Sequence, residues 1–308
     1  MAHTRELEWL RHTAGVRALT DRAVISVSGD DALDWLQGQV TNDVAGAEPG
    51  NSAYGFVLTL KGRVMADVWV LGGEEEIWLD VPSAEVDGLL ERLDRYIIME
   101  DVDLAHRTEL HLLTAQGPKA EEASSGGWPS DRLGSGGRLW IVDESELEPE
   151  LKRLTERCQS LGGGPIHERA WGDAHVALGR PRFGIDFGDW TYPQETGLAP
   201  IAISFTKGCY VGQETVVMLQ NRGKAPKVLW RWAIEGVEPP AAKTPIERDG
   251  TVVGEITSAA QVENGIVALG FVKRGHESGS SEGFEIGGAA ARALGPVEEG
   301  PGLARSRT

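Results

Sequence analysis

Two short stretches of this 308-residue chain carry side chains that could do chemistry. The first is TKGCYVGQE, residues 206–214, which holds Cys209, one of only two cysteines. Gly208 and Gly212 are free to take positive-φ turns, and helical spacing resumes at Glu214 through Val217 and Met218 to Asn221. A thiol at such a loop-to-helix junction lies near free backbone amides and near Lys207, which together lower a thiol pKa and make it nucleophilic. Gln213 and Glu214 near the first turn can instead satisfy those amides. A cysteine is also a small apolar side chain that fills cores without reacting. Spacing alone leaves both readings open. The second stretch is YGFVLTLKGRVMAD, residues 54–67. Its run from Val64 to Val70 alternates imperfectly, as a strand covered on both faces does. Asp67 there would be partly desolvated, which raises a carboxyl pKa, while a ligand amine would stabilise its charge. The competing reading is an aspartate at a strand edge facing water.

Several elements must hold these stretches. RAVISVSG (22–29) is short and rich in β-branched residues, and reads as a strand. Asp30 and Asp31 then open a helix that carries Leu33, Leu36 and Val40. SAYGFVLTL, RVMADVWVL and EIWLDVP, separated by turns at Lys61-Gly62 and Gly72-Gly73, form an antiparallel meander. SAEVDGLLERLDRYIIM (83–99) reads as an amphipathic helix capped by Ser83, with Leu89, Leu93, Tyr96 and Ile97 on one stripe. Residues 117–137 have the composition of an exposed loop. LWIVD is a strand, ELEPELKRLTERCQSLGGG a helix containing Cys158, and HERAWGDAHVALG another helix. Strands, helix, strand, helix, twice over, suggest two α+β units in residues 1–225. From 226 to 295 the segments are short and strand-like, with a hairpin turn at Asp249-Gly250, and read as a small β-barrel. Residues 296–308 read as a disordered tail.

Bulk properties exclude whole classes. A formal charge of −17 disfavours both nucleic-acid phosphates and anionic lipid as partners. Two cysteines make no disulfide framework and suit a reducing compartment. The charged start lacks the apolar stretch of a signal peptide, and no segment is long enough to span a membrane, so the expectation is a cytoplasmic protein. There is no Walker phosphate loop, dinucleotide fingerprint or nucleophile elbow. Seven scattered histidines give no zinc spacing, so no bound metal is expected. Two thiols cannot hold an iron–sulfur cluster alone.

TKGCYVGQE closely resembles the signature of the YgfZ family, folate-binding proteins related to the glycine-cleavage T-protein, an aminomethyltransferase. VSGDDALDWLQGQVTNDV, YGFVLTLKGRVMADVWVL, RPRFGIDF, YPQETGLAPIAISFTKGCYVGQE, ERDGTVVGEITSA and ALGFVKRG extend the likeness over most of residues 22–275. The resemblance implies an α+β fold: two intertwined ferredoxin-like domains and a C-terminal β-barrel around a central channel that holds tetrahydrofolate or a derivative. It implies that Asp67 takes the place of the T-protein aspartate near the reacting folate nitrogens, with Tyr54 thirteen residues before it. Gln194 and Glu195 fall in a segment that lines the channel in relatives. Lys207 could hold the thiolate or the folate tail, and Arg222 and Gly223 fit the family pattern, while Met218 stands where a basic residue is common.

The chain also departs from the T-protein. Where that protein has R-x-E-A-G, with a glutamate for the pterin ring, this one reads HVALGRP, so His175 and Ala177 stand at the Arg and Glu positions. T-proteins lack a cysteine where Cys209 stands. The leading expectation is therefore a folate-dependent accessory factor for assembly or repair of iron–sulfur enzymes. Cys209 would be its functional thiol, and iron–sulfur proteins or cluster-assembly factors its clients. Two alternatives stand beside it: a folate-dependent one-carbon transferase in which Asp67 orients the amine or handles its proton, and a non-catalytic scaffold. The transferase needs Asp67 and not Cys209, the accessory factor needs Cys209, and the scaffold needs neither.

Overall fold

A computed structural model describes residues 2–222, 225–276 and 281–299, with backbone alone at 2–4, 222 and 299. Three sheets organise them. In the first, Ser52–Leu58, Val64–Gly72, Ile77–Pro82, Arg22–Ser28 and Asp103–His106 lie side by side in that order, antiparallel throughout. Ala66, Val68 and Val70 face one way and join Leu79, Val81, and the helices Ala32–Gln37 and Val86–Asp94 in an apolar core. Leu36, Leu89 and Leu93 are wholly buried there, each stabilising the lobe by about 1.5–3 kcal/mol through apolar area removed from water. Strand period sends Asp67 and Trp69 to the opposite face. That face is covered too, so the Val64–Gly72 pattern is nearly all apolar.

The second sheet runs Gly164–Pro165, Gly15–Ala18, Leu110–Gln116, Gly137–Asp143, Trp128–Pro129. Gly15–Ala18 precedes the whole first sheet in sequence, yet it pairs antiparallel with Leu110–Gln116 and parallel with Gly164–Pro165. The two α+β units are thus interleaved. The helix Glu144–Ser160 covers the second sheet through Leu154 and the buried Cys158. Lys227–Ile234, Gly265–Lys273, Thr251–Val262, Pro245–Arg248, Phe284–Ile286 and Ala289–Pro296 close into a barrel, which leaves no unpaired edge. Its hairpin turn at Asp249 and Gly250, φ 51° and 71°, has the twist that matches flanking strands.

Three local readings differ from the structure. The 83–99 segment is a 3-10 turn, Ser83–Glu85, then a helix, Val86–Asp94, and Ser83 makes no side-chain cap bond. Past the helix the amides of Tyr96 and Ile97 donate to the Leu93 and Asp94 carbonyls, and the Glu100 carboxylate accepts from the amides of Ile98 and Met99. Residues 117–137 are not an exposed loop. They contain the helix Ala120–Ala123 and the edge strand Trp128–Pro129, and bury Leu133 and Ser130. Their turn-rich composition serves tight folding: the Asp131 carboxylate accepts from the amides of Gly134 and Ser135, and the Trp128 indole donates to the Gly72 carbonyl. The last strand reaches Pro296 and a 3-10 turn follows at Val297–Glu299, with Val297 buried against the barrel junction. Residues 300–308 lie outside the described residues.

Candidate functional site

Where the two α+β units meet, under the segment that follows the helix Glu168–Ala177, a cavity of about 340 Å³ opens. Its size falls in the range of small-molecule sites, roughly 300–1,000 Å³. The first sheet contributes Arg22, Tyr54, Asp67 and Trp69; the 131–132 turn contributes Asp131 and Arg132. The helix Glu168–Ala177 adds Trp171 and His175, four apart and therefore on one face. The segment after it adds Arg180, Arg182 and Phe183.

Register explains the polar end. Tyr54 lies opposite Trp69 across the strand pair, their rings 5.2 Å apart, and Phe56 lies opposite Asp67. The Tyr54 hydroxyl donates to Asp67 Oδ2 at 3.2 Å, and Arg22 Nη1 donates to Asp67 Oδ1 at 2.6 Å. Arg22 continues inward, with Nε donating to Asp80 Oδ1 at 2.6 Å and Nη2 to the Asp80 carbonyl at 2.8 Å. Arg132 Nη2 takes the other Asp80 oxygen. The result is a buried chain, Tyr54–Asp67–Arg22–Asp80–Arg132. Burial works against the Arg22 charge, but Asp67 and Asp80 outweigh it and raise its pKa. Burial likewise opposes the Asp80 charge, yet Arg132 and Arg22 hold that carboxyl below the usual range. The Tyr54 phenol is pushed well above its ordinary value by burial and by Asp67.

On the facing wall, His175 Nδ1 donates to the Arg180 carbonyl at 2.9 Å, and the Arg180 amide donates back to the His175 carbonyl at 2.7 Å. The imidazole stands edge-on to Trp171, centroids 4.7 Å apart at 84°. Burial, then Arg182, lowers its pKa to about 3, so the ring is neutral. Behind this wall Asp186 accepts from the Arg182 amide, and from the hydroxyls of Thr257 and Ser258 on the barrel. That buried carboxyl, its pKa raised by burial, pins the barrel to the cavity.

Of the residues singled out in the sequence, Tyr54 and Asp67 meet in this cavity, and Asp67 is buried rather than at a wet strand edge. Gln194 and Glu195 are not among its lining residues. Gln194 Nε2 donates to the Val216 carbonyl, and Glu195 accepts from the Tyr192 amide at 2.8 Å, its pKa raised by burial. Lys207 Nζ donates to the carbonyls of Val40 and Asn42 at 2.9 and 2.6 Å, and burial lowers its pKa to about 8. The lysine thus braces the loop. Cys209 is exposed and does not line the cavity. Gly208 has open space where a Cβ would stand. Gly212 does not: at φ 84° its Cβ would lie 2.6 Å from the Thr59 carbonyl oxygen. Gly62, at φ 74° in the facing hairpin turn, would strike Thr215. The cysteine motif is therefore pressed onto the strand pair that carries Tyr54 and Asp67. Tyr210 is buried at that contact, its phenol pushed to about 12 by burial. Gln213 and the exposed Glu214 open the helix Gln213–Arg222, on which Met218 is exposed. The Arg222 side chain and Gly223 lie outside the described residues. Ala177 ends its helix half-buried and away from the cavity.

Sequence reasoning missed Arg22, Trp69, Arg132, Trp171 and Arg182. An arginine that opens an apolar strand looks like a solvated flank, and Arg132 lies in a segment whose composition reads as loop. Trp171 alone had a signal, its i, i+4 spacing to His175 on a helix with an apolar face.

Comparison with known proteins adds the following. Residues 1–126 match the GCVT N-terminal domain. The chain is 26% identical over 224 residues to the tRNA-modifying protein YgfZ of Colwellia psychrerythraea, covering 69% of each chain. It is 26% identical over 272 residues to the tRNA-modifying protein YgfZ of Escherichia fergusonii, covering 82% of each. Among solved structures, the glycine cleavage system aminomethyltransferase T of Bartonella henselae superposes with a TM-score of 0.82 at 17% identity, over 95% of this chain and 88% of that one. That likeness extends to the interleaved sheets and the closed barrel. Among the described residues no helix is long and apolar enough to cross a membrane, and no three His, Cys, Asp or Glu side chains gather as a metal site.

Proposed function

We propose that this chain, a GcvT-like protein of the YgfZ type, binds tetrahydrofolate or a derivative in its central cavity and serves as an accessory factor in the assembly or repair of iron–sulfur enzymes, with Cys209 as its working thiol. The observation that carries the reading is the cavity itself. Its side chains suit a reduced pterin with an acidic tail. Trp69, Trp171 and Phe183 offer aromatic surface, His175 offers an acceptor, Asp67 keeps second lone pairs beside its bonds to Arg22 and Tyr54, and Arg132, Arg180 and Arg182 offer cations to carboxylates. When bound, the folate would supply a nitrogen able to carry a one-carbon unit. The chain's own residues would orient the ring, exclude water and neutralise the tail.

The transferase reading is weaker on the same geometry. Both Asp67 oxygens are already engaged, one by Arg22 and one by Tyr54, so the carboxylate is braced rather than waiting for a proton. The curated relatives are named as tRNA-modifying proteins. With 47 acidic residues against 30 basic ones, direct capture of tRNA phosphates has little support. An effect on tRNA would pass through enzymes that this protein services, and an exposed thiol suits work on another macromolecule.

Anaerobic calorimetry with tetrahydrofolate and a reductant tests the folate half. Saturable micromolar binding, weakened in Asp67→Asn, is the expected result, and no heat at millimolar ligand would remove folate from the proposal. For the thiol half, Cys209→Ser is expected to lower iron–sulfur enzyme activity in extracts while leaving folate affinity unchanged.

A further inference from the structure

His175 presents the cavity with a hydrogen-bond acceptor that the protein prepares and does not itself use. The Arg180 carbonyl can only accept, so His175 Nδ1 carries the ring's proton. The ring is neutral, because burial and then the charges of Arg182, Arg132 and Arg180 oppose a second proton. An imidazole of that tautomer has a lone pair at Nε2. Nε2 has no partner among the described residues, and His175 lines the cavity. Trp171 against the ring, at 4.7 Å and 84°, fixes its orientation. The other polar groups of this wall, Arg180 and Arg182, are cations and can only donate. Across the cavity the Asp67 oxygens are held by Arg22 and Tyr54, and Asp131 Oδ1 by two backbone amides, while Asp21 and Glu85 also line it with carboxylates.

We infer, resting on the folate reading above, that His175 Nε2 accepts a ring N–H of the bound ligand. It thereby selects a nitrogen heterocycle that shows a donor edge, such as the 2-amino-4-oxopyrimidine half of a reduced pterin, over rings that show acceptors alone. Sites built around a ligand N–H reject analogues that lack it, because the buried acceptor is then left unpaired.

The test compares two probes, tetrahydrofolate and p-aminobenzoylglutamate, which lacks the pterin ring, by anaerobic calorimetry on the wild type, His175→Asn and His175→Gln. Asparagine keeps an N–H for the Arg180 carbonyl and loses the outer acceptor; glutamine extends an amide oxygen to the Nε2 position. Tetrahydrofolate is expected to bind about tenfold more weakly to His175→Asn, and within about threefold of wild type to His175→Gln. Affinity for p-aminobenzoylglutamate should not change. Imidazole nitrogen NMR on the unaltered protein gives a readout independent of variant folding. Nε2 should be the unprotonated nitrogen, and its shift should move with tetrahydrofolate and not with the ring-free probe. Tetrahydrofolate binding with an unmoved Nε2, or with equal affinity in folded His175→Asn, overturns the assignment and leaves the folate reading standing. A wild type that binds no tetrahydrofolate at millimolar concentration ends the folate reading, and this inference with it.

Discussion

Replacing Arg22 with methionine should show how much of the cavity rests on one guanidinium. Its side chain is 8% exposed and bridges two carboxylates, Asp67 at 12% and Asp80 at 0%. Methionine fills much of the volume and leaves Asp67 with Tyr54 alone and Asp80 with Arg132 alone. Removing one partner from a buried ion pair costs about 3–5 kcal/mol, mostly from the charge left behind. At about 2–4 °C of melting temperature per kcal/mol for a chain of this class, thermal unfolding should fall by about 6–20 °C. Asp67→Asn is milder, about 1–3 kcal/mol, because Arg22 keeps Asp80 and Tyr54 keeps an acceptor. The informative variant is the double. If stranded charge is the cost, adding Asp67→Asn to Arg22→Met raises the melting temperature above that of Arg22→Met alone. Lowering pH should do the same. A buried carboxyl without its cation has a raised folded pKa, so it destabilises as pH rises through that value and recovers as pH falls. Differential scanning fluorimetry from pH 5 to 8 reads the wild type and all three variants. An Arg22→Met melting point within about 2 °C of wild type, or a double variant below the single, would refute the reasoning.

Three further outcomes are expected. Gly212→Ala should cost about 1–3 kcal/mol, from a strained φ and a clash with Thr59, while Gly208→Ala should stay within about 0.5 kcal/mol; urea unfolding separates them. Alkylation followed by mass spectrometry should modify Cys209 in the native protein, whereas Cys158, buried and with its thiol pushed up to about 11, should react only after unfolding. His175 has a folded pKa near 3, below its unfolded value of about 6.5, so the unfolded state takes the proton first and stability falls as pH drops from about 6.5 toward 3. His175→Asn should flatten that stretch of the stability profile, measured as the difference from wild type so that Asp186 and Glu195, with raised pKa values and the opposite sense, cancel.

The strands and the barrel are legible in the sequence for local reasons. The turn at Lys61-Gly62 and the β-branched runs around it specify a hairpin, and Asp249-Gly250 specifies another, without help from distant residues. What is not legible is long-range. Nothing near Gly15–Ala18 says that it will skip a whole sheet to pair with Leu110–Gln116, because that pairing is decided by which face is left to cover. The 117–137 segment misleads for a related reason: Gly, Ser and Pro make turns whether or not those turns end up packed. In the site, Tyr54 and Asp67 can be found from one strand pair, but their partners cannot. Arg22 and Arg132 lie 45 and 65 positions from Asp67 and meet it, directly or through Asp80, only when three separate segments converge. Glu195 turns its carboxylate back to the Tyr192 amide of its own turn, and Gln194 reaches to the Val216 carbonyl on the helix Gln213–Arg222, so neither lines the cavity.

The separation of Cys209 from the cavity bears on what kind of protein this is. The enclosed acid is braced by Arg22 and Tyr54, while the thiol faces out. The two places are nevertheless one piece of structure. Asn42 Nδ2 donates to the carbonyls of Tyr54 and Ile201, both in the cavity wall, and the Asn42 carbonyl accepts from Lys207, two residues before the cysteine. Gly62 and Gly212 press the same hairpin against the motif from the other side. On the function proposed above, a ligand held inside and a thiol offered outside would be joined through these shared backbone contacts. Phe205, Val217 and Met218, all exposed near Cys209 in the chain, extend that outward surface with apolar area.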